Sequence, residues 1–151
     1  MTNDKAAQLA VRQANFPLFY HELTDVLVDF IGCIGIQPAA PVLQQAVQYV
    51  PLVEQALREM AVADEADRSW LTARIAYFVG EVLAQQYDGN WYVNDVPGSR
   101  LFARYVVGRF TNADNAAMMV DPFELAQAYV AAPVPRALAP LLAEVRASLE
   151  G

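Results

Sequence analysis

Residues 68–87 read RSWLTARIAYFVGEVLAQQY and decide the fold. At 100° per residue, the large apolar side chains of this stretch share one helical face and the small residues share another. The large set is Leu71, Ile75, Phe78 and Val82, and the small set is Ala73, Ala76, Gly80 and Ala84. A helix that is apolar on two sides must be covered on two sides. The pattern therefore predicts a central helix, an interior rod that the rest of the chain encloses.

Polar residues on both sides predict the limits of this helix. Asp64 or Asp67 can serve as its N-cap, because a carboxylate accepts hydrogen bonds from the first free backbone N–H groups. Asp88-Gly89 follows Tyr87 and favours a stop, since glycine readily adopts the left-handed conformation that ends many helices. We therefore expect the helix to end at about Tyr87.

A β-hairpin is predicted after the central helix. Trp91-Tyr92-Val93 and the stretch from Leu101 to Phe110 are rich in aromatic and β-branched residues, which favour strands. Between them, Val96-Pro97-Gly98-Ser99 has the proline and glycine of a type II turn. A third strand at about residues 116–120 would extend the pair into a small meander. The alternative is a helix from Arg100 to Phe110, capped by the serine before it.

Helices are predicted in the amino-terminal half as well. A first helix covers about residues 4–14, and Pro17 separates it from a second helix that ends at Gly32 and Gly35. The stretch from Val42 to Met60 contains Pro51, which removes a helical donor. We therefore expect two short helices or one kinked helix in that stretch.

The clearest helix start is Asp121-Pro122-Phe123-Glu124, with an acidic N-cap, proline at the first helical position and a glutamate that can reach back. That helix runs to about Ala131. A last helix then places five apolar residues on one face: Leu138, Leu141, Leu142, Val145 and Leu149. Together these elements predict a predominantly helical α+β fold, in a single domain over residues 1–151, with a small antiparallel hairpin or meander beside the central helix.

The composition restricts the partners and the compartment. Apolar residues make up 56% and charged residues 18% of the chain, which is typical of a folded protein. Seventeen acidic against 10 basic residues give a net charge of −7, and this balance argues against nucleic acid or an anionic membrane as partner. A basic protein partner is compatible with it. We expect a cytoplasmic protein, because the sequence shows no signal-peptide pattern and a single cysteine, Cys33, which we interpret as a small buried residue.

The strong signatures of nucleophilic, metal and cofactor chemistry are absent from the sequence. The chain has one histidine and one cysteine, and it contains no Gly-rich phosphate loop, no Cys-x-x-Cys pair and no Gly-x-Ser-x-Gly motif. We therefore expect no cofactor and no metal, and we assign no catalytic residue. Catalysis by carboxylates alone is left open.

A polar cluster on the second predicted helix is the first candidate site. It consists of His21, Glu22, Asp25 and Asp29, which share one helical surface by their spacing. Three interpretations are open: a solvated face, a surface formed by the three carboxylates for a basic protein partner, and a metal site whose ligands would all come from one helix.

Glu81 is the second candidate, because it lies at the edge of the large apolar face of the central helix. A buried carboxylate is stable only when it is paired or protonated. An ion pair with Arg74, Arg104 or Arg109 would tie the helix to the hairpin. The alternative is a carboxylate of raised pKa that acts as a general acid or base in a pocket. The residues predicted to line that pocket are Arg74, Glu81, Trp91 and Tyr105.

A resemblance covers about residues 70–131. Gly80-Glu81-Val82-Leu83 in a central helix, Asp88-Gly89-Asn90-Trp91, a hairpin and Asp121-Pro122-Phe123 at a helix start follow one another in this order. The pattern is similar to that of small bacterial α+β proteins, some of which resemble immunity proteins of polymorphic toxin systems. The resemblance implies a small α+β domain with a binding role, and it carries over no catalytic residue.

We therefore expect a protein-binding module without enzymatic activity, of the immunity type, which neutralises a basic partner or toxin through its acidic helix face. Two alternatives are open. The first is a small ligand-binding domain or enzyme that uses Glu81. The second is a structural homo-oligomer such as a homodimer, because 56% apolar residues can exceed what one core buries.

Overall fold

The computed structural model describes residues 3–151, which form five helices and one two-stranded antiparallel sheet. The elements in chain order are α1 Asn3–Cys33, α2 Val42–Leu57, α3 Glu65–Gln86, β1 Asn90–Val93, β2 Tyr105–Gly108, α4 Pro122–Ala131 and α5 Ala139–Glu150. The predicted predominantly helical α+β class is confirmed. In this part of the chain, no helix combines the length and the apolar character needed to cross a bilayer.

The helix α3 is the central element, and it contacts α1, α2, α4 and both strands. Its middle, from Leu71 to Leu83, carries the buried residues of the helix. The first turns, Glu65–Trp70, are exposed. The prediction of an interior rod from Arg68 onward is therefore correct only from Leu71, because most of the preceding residues are polar and gain nothing from burial.

An aspartate lies at each end of α3. The Asp64 side chain accepts a hydrogen bond from the Asp67 backbone N–H at 2.8 Å, so Asp64 is the N-cap. At the other end, the Gly89 backbone N–H donates to the Ala84 carbonyl at 2.8 Å. The left-handed residue of this stop is Asp88, with φ of 50°, and not the glycine beside it. Aspartate tolerates that conformation better than most residues do.

The helix α1 is continuous, so the predicted break at Pro17 is wrong. Proline removes the hydrogen bond that residue 17 would donate to the carbonyl of Gln13. Both residues are exposed. The lost bond therefore lies on the solvent side, where water can hydrate the free carbonyl and the helix can continue.

The helix α2 is kinked as expected, but the kink lies at Gln45 and not at Pro51. Gln45 has φ −131° and ψ 37°, outside the helical region, while Pro51 stands inside the helix. The side chain of Gln85, on α3, bridges the kink. Its Oε1 accepts from the Ala46 N–H at 2.7 Å, and its Nε2 donates to the Val42 carbonyl at 3.1 Å. One amide side chain thus satisfies the two backbone groups that a regular helix would pair with each other.

The hairpin has the predicted turn. Ser99 donates its backbone N–H to the Val96 carbonyl at 3.2 Å, and Gly98 has φ of 81°, as a type II turn requires at that position. The strands pair antiparallel, with Trp91 opposite Val107.

The second half of the hairpin differs from the prediction. Strand β2 is shorter than the predicted Leu101–Phe110, and the third strand is reduced to one bridge between Val107 and Val120. The alternative of a helix from Arg100 to Phe110 is also wrong. Its capping residue, Ser99, starts only a short turn in which the Phe102 N–H donates to the Ser99 carbonyl at 3.0 Å.

The helix α4 begins at the predicted N-cap, since the Asp121 carboxylate accepts from the Phe123 N–H at 2.9 Å and Pro122 is the first helical residue. The hydrogen bond that Glu124 was expected to make back to the start of α4 is replaced. Its carboxylate accepts instead from the guanidinium groups of Arg100 and Arg104.

The last helix, α5, is connected to α2 by two charged side chains, and we call this contact the α2–α5 junction (Glu54, Leu57, Met60, Arg136 and Leu138). The Glu54 carboxylate accepts from the Leu138 N–H at 2.9 Å, at the start of α5. The buried guanidinium of Arg136 donates through Nη1 to the carbonyls of Leu57 and Met60, at 3.4 and 2.7 Å, at the end of α2. The negative carboxylate of Glu54 thus lies at the positive amino-terminal end of α5, and the positive guanidinium of Arg136 lies at the negative carboxyl-terminal end of α2.

Candidate functional site

The space around Glu81 is a cavity of about 440 Å³ between α1, α2, α3 and the start of β1. We call it the Glu81 cavity. Its lining residues are Phe16, Tyr20, Leu43, Glu81, Ala84, Gln85, Asp88, Gly89, Asn90 and Trp91. Because the turn after α3 reverses the chain, it brings β1 back against the helix that carries Glu81.

Glu81 is only 4% exposed, as the sequence predicts for a residue at the edge of the apolar face. The hydroxyl of Tyr20 donates to its Oε1 at 3.1 Å. Burial raises the pKa of the Glu81 carboxyl above its ordinary value, while the hydrogen bonds of Tyr20 and the Gln85 amide act in the opposite direction. The same burial, together with the negative charge of Glu81, raises the pKa of Tyr20 to about 12, so this hydroxyl keeps its proton at neutral pH.

The predicted ion pair of Glu81 is not formed. The guanidinium of Arg74 lies over the ring of Trp70, with Cζ 4.4 Å from the ring centre, and donates to the Trp70 carbonyl at 3.1 Å. Arg109 lies over the ring of Tyr92 at 3.9 Å.

Arg104, the third candidate partner, is bound to carboxylates on α4. Its Nη1 donates to Asp121 at 3.0 Å and to Glu124 at 2.9 Å. Asp121 and Glu124 lie at the start of α4 and face the hairpin. Arg104 therefore pairs with these two carboxylates and not with Glu81, the partner predicted from the sequence.

Two of the four residues predicted to share a pocket lie outside the Glu81 cavity. Glu81 and Trp91 line it together. Tyr105 lines a neighbouring cavity of about 530 Å³, where its ring stacks on Phe19 at 3.8 Å between centroids. Arg74 lines a third, smaller cavity beside α1. Sequence spacing placed these side chains near the same elements but could not tell which side of each element they occupy.

Trp91 forms a wall of the cavity because α3 has a glycine opposite it. A Cβ built on Gly80 would lie 1.9 Å from Cζ2 of Trp91, so only glycine allows the indole to pack this closely on the helix. The small-residue face predicted for α3 is therefore the place where the hairpin docks. The indole N–H of Trp91 is buried and has no hydrogen-bond partner.

Gln85 is a cavity residue that sequence reasoning missed. Its amide spans the kink of α2 and also lies beside Glu81. The only signal in the sequence is its position one helical turn after Glu81, on the same face of α3. The sequence of α2 does not predict a kink at Gln45. The hydrogen bonds of Gln85 to the backbone at this kink are therefore found only in the structure.

The polar cluster of α1 is exposed to solvent. His21 Nε2 lies 3.5 Å from the Asp25 carboxylate, and the two side chains are 78% and 74% exposed. Glu22 and Asp29 are exposed and make no ion pair within the described residues. Over residues 4–151, no group of three or more His, Cys, Asp or Glu side chains is arranged to hold a metal ion.

Cys33 is exposed, so its interpretation as a buried residue is wrong. It is the last residue of α1 and lines the small cavity that also contains Trp70 and Arg74.

No family model, no curated protein and no solved structure matches this chain.

Proposed function

We propose that this chain is a protein-binding module without enzymatic activity, and that the exposed face of α1 receives a basic protein. One observation carries the proposal. Leu18, Glu22, Asp25 and Asp29 follow one another at i, i+4, i+7 and i+11 and so form one stripe, which we call the α1 stripe. All four are exposed, and the exposed fraction of Leu18 is 73%.

The α1 stripe has the composition of one half of a protein interface. An apolar side chain that is left in water can fill a pocket on a partner and serve as a binding anchor. Carboxylates beside such an anchor attract a basic partner over a distance and fix its orientation. Leu18 supplies the anchor and the three acids supply the charge.

The charge of the stripe is available to a partner. In the described part of the chain, the only ion-pair contact of these three acids is that of Asp25 with His21, which is charged only when protonated. The whole chain carries a net charge of −7, which adds to the attraction of a basic protein. The resemblance of residues 70–131 to immunity-type proteins makes a basic toxin the first partner class to test.

The proposal is tested by capture followed by affinity measurement. The immobilised chain is used to recover binding proteins from the source cells, and the dissociation constant of the recovered protein is then measured. We expect a basic protein. Its affinity should fall at least tenfold for the Asp25→Lys/Asp29→Lys variant at low ionic strength, and by a comparable factor for Leu18→Ala.

A matched control has the same change of charge elsewhere. Asp114 and Glu144 are exposed and lie toward the carboxyl-terminal end of the fold, so Asp114→Lys/Glu144→Lys should keep the affinity within about twofold. Added salt should weaken binding of the wild type more than binding of the Asp25→Lys/Asp29→Lys variant. Recovery of an acidic protein, or equal binding by both double variants, would refute the role of the α1 stripe.

A further inference from the structure

The Glu81 cavity contains negative charge and no positive charge. The charged residues in its lining are Glu81 and Asp88, and both are acidic. Asp88 is exposed, and its carboxylate accepts a hydrogen bond from the Thr111 hydroxyl. Glu81 is buried, and no arginine forms an ion pair with it within the described residues. The buried carboxyl of Glu81 is therefore hydrogen-bonded by Tyr20 and Gln85, and the cavity lining supplies no basic side chain to pair with it.

A buried carboxylate without a basic neighbour destabilises the folded protein and favours the binding of a cation. Moving a carboxylate out of water costs free energy unless an opposite charge or several hydrogen bonds replace the water. Glu81 has the Tyr20 hydroxyl on Oε1, and it faces a cavity of about 440 Å³, within the range of about 300–1,000 Å³ typical of small-molecule sites. A positively charged group inside the cavity would supply what the protein lacks.

The walls of the cavity suit an organic cation. Phe16, Tyr20 and Trp91 contribute aromatic rings to its lining. The electron-rich face of an aromatic ring attracts an ammonium group, and the attraction is larger where water is excluded. A carboxylate acceptor combined with aromatic walls is thus suited to bind an alkylammonium ion, which donates N–H hydrogen bonds.

We propose that the Glu81 cavity binds a primary amine in its ammonium form. The amine belongs either to a small molecule or to a lysine side chain of another protein. Glu81 accepts a hydrogen bond from the ammonium group, and the aromatic rings contact its alkyl chain. This site is independent of the α1 stripe, because Phe16 and Tyr20 lie on the opposite face of α1 from Leu18.

The hydrogen bonds that Glu81 already accepts determine which class of cation fits. A guanidinium group binds a carboxylate best through two parallel hydrogen bonds, which need both oxygens free. Glu81 already accepts hydrogen bonds from the Tyr20 hydroxyl, on Oε1, and from the Gln85 amide, so its two oxygens are not both free and a single-point donor such as an ammonium fits better. A quaternary ammonium has no N–H group and cannot donate to the carboxylate.

The two indole groups of the chain provide the measurement. Trp91 lines the cavity, whereas Trp70 lines a different cavity between α1 and α3. In a nitrogen–proton NMR spectrum of the full chain, we expect n-butylammonium to shift the Trp91 indole signal in a saturable way and to leave the Trp70 signal in place. The titration is repeated at constant ionic strength with n-butanol, tetramethylammonium and methylguanidinium, each of which should bind at least fivefold more weakly.

Two variants keep the test decisive. Glu81→Gln has the same shape without the charge and should weaken n-butylammonium at least tenfold. Tyr20→Phe frees Oε1 and should raise the affinity for methylguanidinium at least threefold, an effect that a merely structural role of Tyr20 does not produce. The matched control is Asp114→Asn, which removes an exposed carboxylate outside both the cavity and the α1 stripe and should change nothing.

The same titration distinguishes the two sources of the amine. A small amine is supported when n-butylammonium binds and Nα-acetyl-lysine methylamide, which carries a peptide backbone, does not. A lysine side chain is supported when the lysine derivative binds at least as tightly. The proposal is overturned when neither amine moves the Trp91 signal, or when n-butanol or tetramethylammonium moves it as strongly as n-butylammonium.

Discussion

The α2–α5 junction and the Glu81 cavity both bury a charged side chain, and they treat it in opposite ways. At the junction, Arg136 is 5% exposed and donates to two carbonyls at the end of α2, while Glu54 accepts from backbone N–H groups at the start of α5. In the cavity, Glu81 is 4% exposed, and its hydrogen bonds come from two neutral side chains, the partly exposed Tyr20 and the amide of Gln85. The guanidinium of Arg136 thus meets backbone carbonyls at a helix end through Nη1, although its Nε has no hydrogen-bond partner, whereas Glu81 meets neutral side chains beside a cavity.

The difference separates a charge that connects two helices from one that we propose binds a ligand. A guanidinium that meets the negative end of a helix holds two elements together, since its removal leaves buried carbonyls without a donor. A carboxylate that borders a cavity and accepts from neutral side chains contributes less to holding elements together. Its charge is available for a ligand, and its burial lowers the stability of the folded protein. Variants at the two places should therefore change different properties.

The largest expected effect is at Arg136. The Arg136→Met variant keeps the length of the side chain but removes the donors to Leu57 and Met60, so we expect the free energy of unfolding to fall by about 2–4 kcal/mol. Urea denaturation measures it. The control is Arg58→Met, an exposed arginine close by, which should cost less than about 0.5 kcal/mol. Equal effects of the two variants would remove the contrast between the junction and the surface.

A smaller loss is expected at Glu54. The carboxylate accepts from the N–H groups of Leu138 and Ala139 at 2.9 and 3.1 Å, so it caps α5 from a different helix. In the Glu54→Gln variant one acceptor and the charge that favours the helix start are lost, which should cost about 1 kcal/mol. Thermal unfolding compares it with Glu59→Gln, an exposed neighbour that should be neutral. A neutral Glu54→Gln would mean that α5 is held by its apolar face alone.

The smallest change in stability is expected at Glu81, and it should depend on pH. Burial raises the pKa of Glu81 in the folded protein above its ordinary value of 4.5, which the unfolded chain retains. Between these two pKa values the folded state binds more protons, so the contribution of Glu81 to stability falls as pH rises through this interval. Tyr20 stays neutral throughout, because its pKa is about 12, and Asp88 is the other acid that faces the cavity.

The Glu81→Gln variant does not titrate, so its stability relative to the wild type should increase from pH 4 to pH 7. At pH 7 it should match or exceed the wild type, with a difference within about 1 kcal/mol. Urea denaturation at several pH values gives this difference, with Asp88→Asn as the control for the second acid of the cavity. A loss of more than about 2 kcal/mol at pH 7 would place Glu81 with Arg136, as a structural charge.

Local signals in the sequence predicted the helix starts and the turn correctly. Asp64 and Asp121 are N-caps, and Pro97-Gly98 is a type II turn, because each depends on bonds between residues close in sequence. The breaks attributed to proline were less successful. Pro17 continues a helix, and the kink of α2 lies at Gln45, since what a missing hydrogen bond does depends on whether water or another side chain replaces it.

The candidate site was predicted in part. The periodicity of α3 predicted the burial of Glu81 correctly. Trp91 lies beside Glu81 because Gly80, the preceding residue of α3, has no Cβ and lets the indole pack on the helix. The predicted ion pair of Glu81 with an arginine was wrong, because the sequence contains three candidate arginines and does not determine which carboxylate each arginine pairs with. Arg104 meets Asp121 and Glu124, whose position depends on how α4 packs against the hairpin.

The sequence by itself determined the helical α+β class, the central helix with its large and small faces, and the burial of Glu81. These follow from periodicity and from caps, which act within a few residues of the chain. Only the tertiary structure decided that Glu81 stays unpaired beside a cavity while Arg136 is matched by a helix end. Charge pairing between distant segments depends on the relative orientation of whole elements, and many weak contacts set that orientation together.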